Sequence, residues 1–193
     1  GGSVNISQTA YSLTVNAGIS TTFAGSLTWT GALTFTGATV SFGTSSLTSS
    51  GAASLTFASA TLSMTTGNWD TSSIAAFTAT GSSATFSGAG TLRTGASSTF
   101  GAVTFGGGTR TLLSAFALAG LLTLSGGVLA KGTNALTVGG GLTMSGGALT
   151  STAGAVSITG NVTISAAASY VVFGSETWAV TGTWTNASTS ASW

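Results

Sequence analysis

Along most of the chain an apolar residue, a hydroxyl residue and a second apolar residue recur as one short unit. Leu122-Thr123-Leu124-Ser125-Gly126-Gly127 returns as Leu142-Thr143-Met144-Ser145-Gly146-Gly147 and again as Val162-Thr163-Ile164-Ser165. It returns weakly as Gly182-Thr183-Trp184-Thr185, and each step is 20 residues. A second series with the same step runs through Leu136-Thr137-Val138, Val156-Ser157-Ile158 and Glu176-Thr177-Trp178. A third and poorer one links Val128-Leu129-Ala130 to Ala148-Leu149-Thr150. Leu13-Thr14-Val15 recurs as Leu33-Thr34-Phe35, whereas between residues 50 and 115 the units persist but the register drifts.

Alternation with period two places the flanking residues on one face and the hydroxyl residue on the other, which is strand periodicity. β-Branched Thr and Val suit a pleated surface, and Gly after each unit permits a sharp corner. Strands of about four residues, separated by six, eight and six positions, are too closely spaced for helical crossovers. Three short strands and three corners in 20 residues predict one coil of a parallel β-solenoid, an all-β fold covering residues 1–193 as a single domain. Coils about 4.8 Å apart would number roughly nine or ten and make a rod on the order of 45 Å long. The drifting register keeps a Ser/Thr-rich β-sandwich as the alternative.

The unit Gly-x-Leu-Thr-Leu-Ser-Gly-Gly, at Gly120 to Gly127 and again at Gly139 to Gly147, resembles the repeats of secreted bacterial β-helix proteins. Filamentous-haemagglutinin-like adhesins and autotransporter passenger domains are the families concerned. The resemblance implies a β-helix at the cell surface serving as adhesin, stalk or fibre. Members of those families carry scattered Asn, Asp and Lys, and this chain departs from that pattern.

Composition sharpens the picture by exclusion. The chain has 193 residues, with 38 Thr, 31 Ser, 30 Ala and 30 Gly, so four small residue types make up two-thirds of it. It has three basic and two acidic side chains and no His, Cys or Pro. Charged residues are 3% of the chain, against about 25% in an ordinary soluble domain. Without Cys or His there is no thiolate or imidazole for a zinc site, a disulfide or a nucleophilic triad. Three cations cannot neutralise a nucleic-acid backbone, so no nucleic-acid partner is expected. No apolar run reaches membrane-helix length, and four-residue units are too short to span a bilayer as a barrel. Stacked ladders favour neutral residues, because like charges about 4.8 Å apart repel down every column.

Few residues remain as candidates for chemistry. Asp70 and Glu176 are the only acids, and five coils of separation is too far for a shared glycosidase site. Asp70, after Asn68-Trp69, reads as part of a loop or polar turn. Arg93, Arg110 and Lys131 read as solvated or interface side chains, pairing with Asp70 or Glu176 of a neighbouring subunit. Gly106-Gly107-Gly108 and Gly139-Gly140-Gly141 lack a following Lys and read as corners rather than phosphate loops. No catalytic residue, cofactor or metal is expected.

Thr-x-Thr pairs such as Thr28/Thr30 recur, but a fixed 20-residue step turns that pair into Thr48/Ser50 and then Asn68/Asp70. On that register an ice-binding array is broken. Sequons at Asn5, Asn161 and Asn186 are glycosylation candidates. The opening residues Gly1-Gly2-Ser3-Val4-Asn5-Ile6 read as a processed N-terminus or an internal cut rather than a signal peptide.

Aromatic residues concentrate near the C-terminus. Tyr170, Phe173, Trp178, Trp184 and Trp193 form the candidate subunit interface or cap, within a segment spanning 166–193; residues 1–12 are the corresponding N-terminal docking segment. Large amphipathic rings gather at protein interfaces and sugar-binding surfaces, so a glycan contact is a second reading of the same residues. With a net charge of +1 there is little repulsion between copies. Together these features lead to an expected extracellular or cell-surface structural protein, self-assembling head to tail, with an adhesin stalk and an ice-binding solenoid as alternatives.

Overall fold

The structure is a computed structural model that describes residues 10–51, 53–79, 81–96, 98–165 and 169–187. The chain winds as a parallel β-solenoid of about eight turns with roughly 20 residues per turn, and the described residues contain no helix. Each coil contributes a strand to each of three faces. On the first face Ala10–Val15 is followed by residues 32–36, Ser54–Ala58 and Ala76–Thr78. That face continues through Thr99–Phe100, Phe116–Leu118, Leu136–Val138, Ala155–Ile158 and Thr177–Val180. The second face begins at Ser20–Thr22 and Thr39–Gly43 and ends at Val162–Ile164 and Trp184–Asn186. The third runs from residues 27–29 and Leu47–Ser49 to Tyr170–Val172.

The drifting register has a direct cause. Leu33, Leu55 and Phe77 are ladder partners 22 residues apart, as are Val40, Leu62 and Ala84. Farther on the step falls to 20 or below, with Phe100 beside Leu118 and Phe116 beside Leu136. The described residues make about eight turns, whereas the nine or ten expected are for all 193 residues. The first-face ladder is interrupted between Ala76–Thr78 and Thr99–Phe100, so the strands divide into a 17-stranded and a 5-stranded sheet. The rings of Phe77 and Phe100 still meet across the interruption at 4.9 Å.

Not every strand is short. Ala102–Leu112, Leu122–Gly132 and Leu142–Ser151 each run through the Gly-rich corner between the second and third faces. Here the coils approach so closely that only glycine fits. A Cβ on Gly127 would lie 2.2 Å from Gly108 O, and one on Gly147 would lie 2.4 Å from Gly127 O. Both glycines also adopt left-handed backbone, at φ +70° and +84°.

In the N-terminal coils the corner between the first and second faces stacks four left-handed residues, Gly18, Gly37, Ser59 and Gly81. Ser59, at φ 51°, is the one non-glycine with positive φ among the described residues. Ser59→Gly is expected to raise stability by about 0.5–1 kcal/mol: the relieved left-handed strain exceeds the entropy that glycine adds to the unfolded chain. A urea midpoint at or below that of the parent chain would contradict this.

The interior follows the two-residue alternation. Leu122, Leu124, Leu142, Met144, Val162 and Ile164 are buried, while Thr123, Thr143 and Thr163 face outward. The N-terminal half has an aromatic core, with stacked pairs Phe23–Phe42 and Phe35–Phe57 at 4.8 and 5.1 Å. Trp29 and Trp69 belong to this core and are fully buried. One inward column is polar, an arrangement that alternation alone does not predict. Ser49, Thr71 and Thr94 are buried where the third face turns toward the first. Thr94 Oγ1 donates to Ala115 O at 2.7 Å, and Ser73 Oγ donates to Ser49 O at 3.0 Å. Hydroxyls are tolerated inside because they satisfy corner backbone groups that no ladder reaches.

Candidate functional site

Two of the five charged side chains lie inside the coil, which corrects their expected placement as solvated or interface groups. Arg110 is 1% exposed and Lys131 0% exposed. Arg110 stands beside Gly90 in the ladder, and the missing side chain of Gly90 leaves a passage for the guanidinium. The group lies over the Phe86 ring at 5.1 Å and donates to the carbonyls of Gly67 and Thr65, with no carboxylate partner among the described residues. Burial pushes Arg110 down to about 10, so it remains protonated at neutral pH.

Lys131 donates to Ala153 O. Burial lowers its pKa, and the charge of Glu176 opposes that shift in part. In the alkaline range the unfolded chain therefore binds more protons here than the folded one does, so this group makes stability rise with pH until 10.5 is passed. Lys131→Met is expected to remove that rise and to leave stability at neutral pH equal or higher. Urea midpoints for both chains from neutral pH to 10.5 measure it; an undiminished rise in the variant would contradict the assignment.

The remaining charges sit outside. Arg93 and Asp70 are ladder neighbours within one chain and form an ion pair at 4.0 Å. Asp70 lies in the strand Trp69–Thr71 rather than in a loop, and its Oδ1 accepts from Ser72 N and Ser72 Oγ. Asp70 and Glu176 stand about five coil steps apart, roughly 25 Å along the axis, so the two carboxylates do not meet.

Three of the five aromatic residues expected to act together, Phe173, Trp178 and Trp184, converge in the last described coil. Trp178 lies beside Val156 on the first face, and Trp184 beside Val162 on the second. Both occupy inward columns, yet both are only half-buried, because no described strand pairs with the outer edge of this coil. Phe173 completes the group, with ring centroids 5.5 Å from Trp178 and 6.5 Å from Trp184; the two indoles are 5.4 Å apart. Tyr170, Val172 and Phe173 are 45, 45 and 43% exposed. Tyr170 faces outward on the third face, apart from the ring cluster. Trp193 and residues 188–192 lie outside the described residues, as do 166–168, residues 1–9 of the N-terminal segment, and the Asn5 sequon.

Glu176 is the pocket residue that a search for acid pairs overlooks. Its Oε1 accepts from Trp178 Nε1 at 3.1 Å and its Oε2 from Gly174 N at 2.7 Å. Burial alone would raise this carboxyl. Hydrogen bonds from Trp178, from backbone N–H groups including Gly174, and from Ser151 outweigh that effect and hold it below the usual carboxylate range. Phe173, Glu176, Trp178 and Trp184 together line an open pocket of about 480 Å³. The Glu-x-Trp spacing is the available signal, with Glu176 immediately before the strand Thr177–Val180 and Trp178 its second residue.

A second surface feature emerges once the true register is known. Thr22, Ser41, Ser63, Thr85 and Thr104 are successive ladder partners on the second face. Thr123, Thr143, Thr163 and Thr185 carry the same column onward. In the first four coils a second hydroxyl column, Ser20, Thr39, Thr61 and Ser83, runs beside it. The fixed 20-residue step concealed this array, because the steps along it vary between 19 and 22 residues. Among the sequon residues, Asn161 is exposed at a corner, where its Oδ1 accepts from Thr183 N at 3.0 Å.

No helix among the described residues is long and apolar enough to cross a membrane. Comparison with family models, with curated proteins and with solved structures gives no match.

Proposed function

We propose that this chain is a non-enzymatic structural protein of the cell exterior, a subunit that stacks head to tail into a filament or surface fibre. The observation that carries this reading is the half-buried aromatic group at the open edge of the last described coil. Unpaired strand edges are templates for another chain, and aromatic rings that are apolar yet half-wet are favoured contact residues. A second copy seated there would continue all three ladders. Such a contact joins unlike ends and does not close on itself, so it propagates. Near-neutral charge offers no resistance to it. Sedimentation velocity over a hundredfold concentration range tests this. The parent chain is expected to form large species at high concentration, and Trp178→Ser/Trp184→Ser to remain a single rod; identical profiles would remove the reading.

The adhesin-stalk alternative uses the same fold and rests on the exposed rings of Tyr170 and Phe173 as glycan platforms. A third reading, ice binding, is favoured by the nine-residue hydroxyl column, which offers rigid donors and acceptors at a repeat of about 4.8 Å. Thermal hysteresis that disappears in Thr123→Lys/Thr143→Lys would support it, and none in the parent chain would end it.

A further inference from the structure

We propose that the pocket formed by Phe173, Trp178, Trp184 and Glu176 binds an organic cation, specifically a methylated ammonium head group. Three rings line the pocket and are inclined to one another by 61°, 33° and 67°, so they do not stack in parallel. Aromatic faces are electron-rich and attract cations, most strongly when the cation sheds water easily, as a quaternary ammonium does. Glu176 adds a full negative charge at the wall, and its bond to Trp178 Nε1 fixes both the carboxylate and the indole before any ligand arrives. Lys131, the nearby cation, is fully buried and directed at Ala153 O, so it does not occupy the pocket. Both Glu176 oxygens already accept hydrogen bonds, from Trp178 Nε1 and Gly174 N, so a neutral sugar would meet the carboxylate only through further hydroxyl bonds, whereas a cation also gains from its charge and from the ring faces.

Tetramethylammonium is the probe, followed by tryptophan fluorescence at protein concentrations below assembly, with tert-butanol as the neutral control of similar shape. Binding on the order of millimolar is expected for the cation, at least tenfold weaker for the alcohol. Glu176→Gln is expected to weaken the cation about tenfold and leave the alcohol unchanged. Trp184→Phe should keep most of the affinity, because a ring face remains, whereas Trp184→Ala should lose it. Equal binding of cation and alcohol, or an unchanged affinity in Glu176→Gln, would overturn the proposal. The filament reading shares these rings, so saturating tetramethylammonium is also expected to depress assembly. The two fail separately: a chain that is monomeric at every concentration ends the filament reading, and the titration still reports on the pocket.

Discussion

Replacing Gly127 with valine is expected to destroy cooperative folding, or to lower stability by at least about 4 kcal/mol, the range reserved for a small set of severe mechanisms. Two effects add. The residue sits at φ +70°, where any side chain costs about 1–2 kcal/mol. Its Cβ would also lie 2.2 Å from Gly108 O and 2.5 Å from Gly107 C, backbone atoms of the preceding coil that cannot swing aside as a side chain would. The coils must separate at this corner, and the parallel ladders on both sides lose register. Gly132→Ala is the control: its φ is +58° but nothing lies within 4 Å of the added carbon. It should cost only about 1–2 kcal/mol from strain. Equal losses in the two variants would show that inter-coil approach is not what demands glycine.

Trp69→Ala is expected to cost about 4 kcal/mol, within the range for deleting a large buried aromatic side chain. Trp69 is fully buried, and its ring meets those of Phe42, Phe57, Phe86 and Phe100 at 6.3, 6.1, 6.2 and 5.4 Å. These neighbours come from coils before and after it, so the cavity would open in the middle of the stack, where no chain end can collapse inward. Its Nε1 also donates to buried Thr71 Oγ1, leaving that hydroxyl without its donor after truncation. Trp184→Ala should cost the folded monomer far less, because Trp184 is only half-buried. The contrast, read from urea denaturation, separates a tryptophan that holds the core from one that faces a partner. Similar losses at both positions would contradict it.

The solenoid was legible in the sequence because its signal is local and repeated. Leu122-Thr123-Leu124 and its successors fix inside and outside by alternation, and nothing in the structure reverses them. What stayed hidden depends on groups from different coils. Arg110 reads as a surface cation until Gly90 is placed beside it and the Gly67 and Thr65 carbonyls beneath it, 43 and 45 residues away in sequence. Ser49, Thr71 and Thr94 resemble every outward hydroxyl, and only the unsatisfied backbone at their corner explains why they turn inward. The hydroxyl column escaped for a simpler reason: coil steps that vary between 19 and 22 residues keep the face alternation within each strand but defeat any search at a fixed step.

The aromatic terminus was legible as a cluster, not as a site. Trp178 and Trp184 share a pocket because their coil positions are one face apart, and the sequence shows that proximity only through the repeat. Glu176, dismissed when paired with Asp70, acquires its place from a hydrogen bond to the residue two positions on.

Electron microscopy of the concentrated chain provides the most direct test of head-to-tail stacking. About eight coils at about 4.8 Å each predict unbranched filaments, one solenoid wide, with an axial repeat near 40 Å and none in Trp178→Ser/Trp184→Ser. Separate rods of that length at every concentration, or filaments unchanged by the double substitution, would contradict it.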